Sequence, residues 1–287
     1  MSADPGPAEL LARRIADPVS AGAVVRLGVG RHTVIGVSDG YLLMSPTFVG
    51  APDAPTGAYD LLAAQYGEVR LPVGCFVVPA EKNVLIDTGI GPVDHQGRGR
   101  LVGGNLLPAL AAQGFAPSDI GVVALSHLHG DHAGTIGDPR TGMPVFGEAR
   151  TVIGEGDWDY FVTRRGGVVP LPEHTLHALH ELDRRGLVEL VDGDVDVTPA
   201  IRRIHAPGHT PGHSLYSVHD GAVRLVLLGD AAHCPQQLTE TDWSVAFDVD
   251  PALARRTRDT LVRDLDAHGG GALGCHFPEL RLARALR

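Results

Sequence analysis

Between residues 126 and 132 the chain reads Ser126-His127-Leu128-His129-Gly130-Asp131-His132, which places four metal-binding side chains within six residues. Imidazole nitrogen and carboxylate oxygen are donors that zinc prefers, and a catalytic zinc takes about three protein ligands and keeps a position for water. On a turn, His127 and His129 can face one cation while Asp131 and His132 reach a second about 3.5–4 Å away. Chance would give this pattern only on the order of a few times per thousand chains of this composition, so the spacing carries weight once its context agrees. Three later segments supply that context: Pro207-Gly-His209-Thr-Pro-Gly-His213, Gly229-Asp230 and Cys275-His276. Such a donor set could hold a metal that keeps a position open for water. Chemistry with such a water requires no serine nucleophile, and no nucleophile elbow is expected.

The elements that must carry these residues are short apolar strands. Ile120–Leu125 has the composition of a buried strand and runs straight into His127. Val223–Leu228 does the same for Asp230, Ala200–His205 precedes His209, Ser214–Val218 follows it, and Ala272–Cys275 ends at His276. Earlier strands are expected at Ala23–Val29, Thr33–Ser38, Gly74–Val78 and Asn83–Ile86, the last ending in Asp87-Thr-Gly89. Helices are expected at Ala8–Ala16, Leu106–Gln113 closed by Gly114, Pro172–Arg185, and from Pro251 to about Asp266 with Asp250 as N-cap. Ser45–Gly57 has the composition of a surface loop. Each half runs strands first and helix after, which predicts two sheets sandwiched between helices. Residues 1–18 are expected as a flexible arm and 19–287 as one domain.

Composition narrows the function. The 287 residues carry 24 Lys and Arg against 34 Asp and Glu, a formal net charge of −10. That balance, with no long basic run, argues against nucleic acid or an anionic membrane as a partner, because both need concentrated positive charge. No apolar run approaches the roughly 20 residues that span a bilayer. The segment Met1–Pro7 has no basic start and no apolar stretch, so a cytoplasmic location is the expectation. Three cysteines, Cys75, Cys234 and Cys275, are too few and too scattered for a disulfide framework. The outlying number is 15 histidines.

His127-x-His129-x-Asp131-His132, Gly208-His209-Thr210, Gly229-Asp230 and His276 together resemble the metallo-β-lactamase superfamily, over roughly residues 23–280. The resemblance implies an α/β fold, the αββα four-layer sandwich, with a dinuclear site holding two divalent ions, most simply zinc. Carried over by position, His127, His129 and His209 hold the first metal. Asp131, His132 and His276 hold the second, and Asp230 bridges them. Asp87 matches a position that steadies the ligand loop, the other reading being a simple turn aspartate.

Departures from relatives select among branches. β-Lactamases of the best-known branches carry a cysteine at the position of Asp230 or lack the last residue of the first motif. Flavodiiron proteins usually have a glutamate at the position of His129, so three histidines favour zinc over redox iron. Nuclease branches need a large insertion or a basic exosite, but only 45 residues separate Asp230 from His276. Relatives of glyoxalase II carry a C-terminal helical domain, whereas eleven residues follow His276 here. Acyl-homoserine lactonases usually have a tyrosine three residues after the bridging aspartate, where this chain has His233. Gly229-Asp-Ala-Ala-His233, Ala246-Phe-Asp-Val-Asp-Pro251 and Gly36-Val-Ser-Asp-Gly40 look more like the methyl parathion hydrolase-like branch.

The resemblance therefore implies a hydrolase of small-molecule esters, a lactonase or arylesterase, with phosphotriesters as further substrates and a metal-bridging hydroxide as nucleophile. Asp131, Asp230 and His233 are the catalytic candidates; by position His233 either hydrogen-bonds the substrate oxygen or protonates the leaving group, or is simply a capped or partly buried histidine. Two other classes stay open at this point: a catalytically silent binding protein on the same scaffold, and a mononuclear-iron thiol dioxygenase. A homodimer through the N-terminal arm rests on the resemblance alone.

Other conspicuous residues read as structural. His174, His177 and His180 fall on one solvated helix face, His205 is expected as a core or hydrogen-bonded histidine, His213 as a supporting or structural one, and Cys75 and Cys275 behave as small apolar residues. Cys234 lies beside the site and could be reactive. Trp158, Tyr160 and Phe161 either wall a pocket or anchor a helix, and Phe48 and Phe277 are weaker pocket candidates.

Overall fold

The computed structural model describes residues 12–14, 24–44, 49–50, 69–96, 99–167 and 170–283. The first eleven residues, Phe48 and most of the expected Ser45–Gly57 loop lie outside the described residues. In chain order the first eleven strands are β1 (Ala12–Arg14), β2 (Val24–Val29), β3 (His32–Met44), β4 (Val49–Gly50), β5 (Val69–Val78), β6 (Asn83–Ile86), β7 (Val93–Gln96), β8 (Arg100–Gly103), β9 (Ile120–Ala124), β10 (Arg150–Gly154) and β11 (Val188–Val191). The remaining six are β12 (Val195–Thr198), β13 (Ile201–His205), β14 (Ser214–Asp220), β15 (Val223–Leu227), β16 (Ser244–Val245) and β17 (Gly271–Leu273).

Ten strands form one sheet in the order β1-β2-β3-β5-β6-β9-β10-β11, with β7 and β8 joined through β3. Five form a second sheet, β12-β13-β14-β15-β17, and β16 pairs with β4 separately. Alternate residues of the large sheet feed two different cores, as the period of two in a strand requires. Val84, Ile86, Val122, Ala124 and Val152 point toward Leu215, Val218 and Val226 of the small sheet. Leu85, Val123 and Ile153 point the other way, toward Leu106 and Leu110 of the helix Leu106–Ala112 and Leu176, Leu179 and Leu182 of the helix Glu173–Arg184. A sheet buried on both faces explains why these strands read as continuous apolar runs. On the far side, Leu261, Val262 and Leu265 of the helix Pro251–His268 join the inter-sheet core. The layers are helix, sheet, sheet, helix, as the sequence predicts.

The pairing of β6, β9 and β10 is parallel, and so is that of β15 and β17. Parallel strands end on the same side, so Asp87, His127, Asp230 and His276 leave their strands at one edge of the sandwich. Sites in α/β sheets form at such carboxyl ends. Asp250 caps its helix as expected, accepting from Leu253 N at 2.9 Å, and Gly114 closes the Leu106–Ala112 helix with a φ of 86°.

Two expectations change. Within the Ala8–Ala16 segment the described residues Ala12–Arg14 are extended and pair with Val25–Leu27. Their backbone groups meet the edge of β2 instead of one another. The last strand stops at Leu273, so Cys275 and His276 sit on the turn beyond it.

Candidate metal centre

The first motif follows β9 directly. Asp87, at the end of β6, accepts from Ser126 N at 2.7 Å and Ser126 Oγ at 2.8 Å, and lies 3.0 Å from His132 Nδ1. It holds this position with a φ of 59°, a conformation rare for residues other than glycine. Gly229 also has a positive φ, 50°, and a Cβ there would fall 2.7 Å from His213 Nε2 and 2.8 Å from Ser126 Cβ. Only glycine lets the β15 end approach the first motif and deliver Asp230.

The structure brings all the expected donors together. His127 Nε2 lies 2.9 Å from His129 Nδ1, and His209 Nε2 lies 3.0 Å from the same atom. Asp230 sits between two groups of rings. Its Oδ2 is 3.3 Å from His209 Nε2 and 3.7 Å from His127 Nε2, and its Oδ1 is 3.2 Å from both His132 Nε2 and His276 Nε2. Asp131 Oδ2 is 3.4 Å from His276 Nε2 and 3.7 Å from His132 Nε2. His233 joins the cluster, with Nε2 3.1 Å from Asp230 Oδ2 and its ring stacked on His276 at 5.3 Å.

Backing contacts fix which ring nitrogen faces inward. His209 Nδ1 donates to Asp248 Oδ1 at 2.9 Å and His276 Nδ1 to Pro72 O at 2.7 Å. His213 Nδ1 donates to Ala206 O, which leaves Nε2 to accept from Asp230 N at 3.0 Å. His213 is therefore a support, as expected of it.

Burial forces these groups to settle their charges among themselves. It pulls His129 down to about 3, with His209 adding to the effect. Burial also pulls His209 down, but its bonds to Asp230 and Asp248 outweigh this and hold it at about 9. For Asp230 burial pushes upward, and His233, His132 and His276 overcome it and keep the carboxyl well below its ordinary value.

The donor set fits divalent cations. Three ring nitrogens, on His127, His129 and His209, converge with an Asp230 oxygen so closely that all four donors lie within 4.8 Å of one another. Protons can occupy only some of those contacts, whereas one cation answers every lone pair. The second group is His132, Asp230, His276 and Cys275. There the buried His132 Nε2 makes no hydrogen bond among the described residues, although Asp230 Oδ1 lies 3.2 Å away. Such an orphaned nitrogen, aimed at two carboxylates and an imidazole, suits a metal.

Several residues differ from their sequence reading. Cys275 is not merely a small apolar residue: its thiol lies 3.2 Å from Asp230 Oδ1 and 3.4 Å from Gly229 O. Cys234 is buried among Leu42, Leu71, Val73 and Val245, and burial pushes its thiol up to about 11, which removes the reactivity suggested for it. Gly36-Val-Ser-Asp-Gly40 does have the spacing of a nucleophile elbow, contrary to expectation. It lies inside β3, however, with Ser38 Oγ donating to Gly40 O, so it forms no strand-to-helix turn. Asp39 in that segment accepts from the backbone N–H groups of Ile90, Gly91, Gly104 and Leu106 and anchors the loop after Asp87. Asp248 was missed as a partner of His209. The one available signal was its place in the Ala246–Pro251 segment.

Phe161 meets the His129 ring edge-on at 5.4 Å and Phe247 approaches it at 6.5 Å, so apolar rings flank the first group of donors. Phe277 is a core residue. His177 and His180 are exposed on their helix, as expected. No described helix is long and apolar enough to cross a membrane.

Comparison with known proteins agrees with this geometry. The sequence pattern of the metallo-beta-lactamase superfamily matches residues 70–267. An N-acyl homoserine lactonase of Bacillus sp is 26% identical over 213 residues, covering 68% of this chain and 78% of that protein. The N-acyl homoserine lactonase AiiB of Agrobacterium fabrum is 30% identical over 147 residues, 45% of this chain and 48% of that one. Among solved structures, the hydrolase AbOPH of the beta lactamase superfamily has a TM-score of 0.78 at 22% identity, covering 92% of this chain and 93% of that one. AidC, a dizinc quorum-quenching lactonase solved with a product, also has a TM-score of 0.78, at 21% identity over 93% and 94% of the two chains. With a match across more than half its length and the same sandwich, this chain belongs to the metallo-beta-lactamase superfamily.

Proposed function

We propose that the protein is a dinuclear metal-dependent hydrolase of lactones and small esters. The observation that carries this reading is Asp230, with one oxygen turned to His127 and His209 and the other to His132 and His276. His127, His129 and His209 would hold one divalent ion, Asp131, His132 and His276 the other, and Asp230 would lie between them. When bound, two such ions lower the pKa of a shared water to about 7 and polarise the substrate oxygen. The lactonase names of the curated relatives favour a cyclic ester over other substrates, and the dizinc description of AidC favours zinc.

The chain's own residues supply positioning and proton transfer. Asp230 lies where it can orient the attacking water and accept its proton. His233 Nε2, 3.1 Å from Asp230 Oδ2, can take that proton onward. As water adds to the ester carbon, the carbon–oxygen ring bond breaks and the proton goes to the released alkoxide, leaving a hydroxy acid. Phe161 and Phe247 would keep the surroundings of His129 apolar.

The test is acid release from an N-acyl homoserine lactone, an aryl ester and a phosphotriester by the purified protein, before and after chelation. Hydrolysis of the lactone that disappears on chelation and returns with zinc is expected. His233→Ala should lower turnover while retaining metal. Undiminished hydrolysis by the metal-free protein would refute the reading.

A further inference from the structure

Asp157 belongs to none of the motifs described above, yet it is fully buried at the edge where the two sheets deliver their donors. It ends the helical turn Glu155–Asp157 that follows β10. Its Oδ2 accepts from Leu128 N at 3.1 Å and from Thr210 Oγ1 at 2.9 Å, and its Oδ1 accepts from Gly212 N at 2.6 Å. Leu128 lies between His127 and His129, and Thr210 is next to His209. One carboxylate therefore spans two loops that come from different sheets and are about eighty residues apart. Together the two loops carry the three imidazoles of the first group, each next to a residue bonded to Asp157, whereas Asp131 and His132 of the second group lie three and four residues beyond Leu128.

The packing around it allows little play. A Cβ on Gly212 would fall 2.3 Å from Asp157 N, and one on Gly154 would fall 2.1 Å from Gly212 O. Glycines at 154 and 212 thus let the turn lie flush on the His209 loop. The chain continues into a π-helix, Trp158–Thr163, a form that recurs at functional sites, and this carries Phe161 to the edge of the His129 ring. The segment 157–161 thus reaches the first group in two ways, through a carboxylate bonded to residues beside its histidines and through an aromatic edge on His129.

We infer that Asp157 is a positioning residue for the first metal: it ties the His127–His129 loop to the His209 loop and sets the spacing of their nitrogens. This rests on the reading that those three histidines hold a metal. Asp157 touches no ligand ring and acts through the backbone N–H groups of Leu128 and Gly212 and the hydroxyl of Thr210. Its counterpart for the other group is Asp87, which reaches His132 directly. Removing Asp157 should therefore loosen one metal and spare the other, a selectivity that a general loss of stability would not produce.

The experiment titrates chelator-treated full-length protein with cobalt(II), followed by optical absorption, for wild type, Asp157→Asn, Asp157→Ala and a core control, Leu225→Ala. Asparagine keeps the shape but must turn a donor toward one of the three donors now bonded to Asp157. Wild type should bind two cobalt ions. Both Asp157 variants should bind one of them about 10- to 100-fold more weakly, the range typical of residues that support a ligand, and hold the other within a few-fold. Leu225→Ala should melt earlier yet keep both. Wild-type affinity for both ions in the two Asp157 variants would overturn the inference alone, as would the same selective loss in Leu225→Ala. A wild type that binds no cobalt would overturn the metal reading and this inference with it.

Discussion

The two sheets reach the site in different ways. The large sheet delivers His127, His129, Asp131 and His132 in one run after β9, held by its own Asp87 and Ser126. The small sheet delivers His209, Asp230 and His276 from three separate strand ends, and much of what fixes them belongs to its neighbour. His276 leans on Pro72 O of β5, Ser214 N donates to Ser126 O, and Tyr216 OH donates to Leu125 O at 2.9 Å. One half of the centre is a local turn and the other half is a seam. A turn can be preformed by its own sequence, but a seam exists only when both sheets are packed.

The largest effect should come from the residue shared by both halves. Asp230→Ala is expected to lose both metals, as read by elemental analysis, and to reduce turnover by more than the roughly 10- to 100-fold typical of supporting residues. Retention of one full metal would place Asp230 in a single half.

The supports come next and should separate the halves. Asp248→Asn weakens the hold on His209 and Asp87→Asn the hold on His132, each by about 10- to 100-fold in the affinity of one metal. Cobalt titration should show a different site affected in each variant. If both variants lose the same site, the division into halves is wrong.

A cut in the seam away from the donors should cost stability and spare chemistry. Tyr216→Phe removes the donor to the buried Leu125 carbonyl, which is expected to cost about 1–3 kcal/mol in denaturant unfolding. Metal content should stay unchanged.

The smallest effect is at the surface tie between the sheets. The hydrogen bonds from Arg31 hold the Asp220 carboxyl at about 2. A carboxylate lowered from its ordinary 3.8 contributes stability above that value, and the contribution is lost as pH falls toward 2. Asp220→Asn should therefore melt slightly earlier than wild type at neutral pH, with the gap closing in acid.

This asymmetry also explains what could be read from the sequence. The first motif is legible because its donors are adjacent and follow an apolar strand, and each later donor is legible because a histidine or aspartate comes shortly after a strand-like run. The layer order follows from strands that are apolar on both faces, as in Val84-Leu85-Ile86. Supports that act across long stretches of sequence leave little local trace. Asp248 sits 39 residues from His209, and Asp157 reaches loops on both sheets. Cys275 looked apolar because a cysteine between Gly274 and His276 has no spacing that marks a thiol aimed at Asp230. The Gly36–Gly40 segment shows the converse: its spacing suggests an elbow, and only its place within β3 denies it.

The central claim is that the seam and the turn together hold two metals. Elemental analysis of protein purified without added metal tests it most directly. About two zinc ions per chain is the predicted result, whereas one iron per chain would contradict the dinuclear hydrolase and point to redox chemistry on the same scaffold.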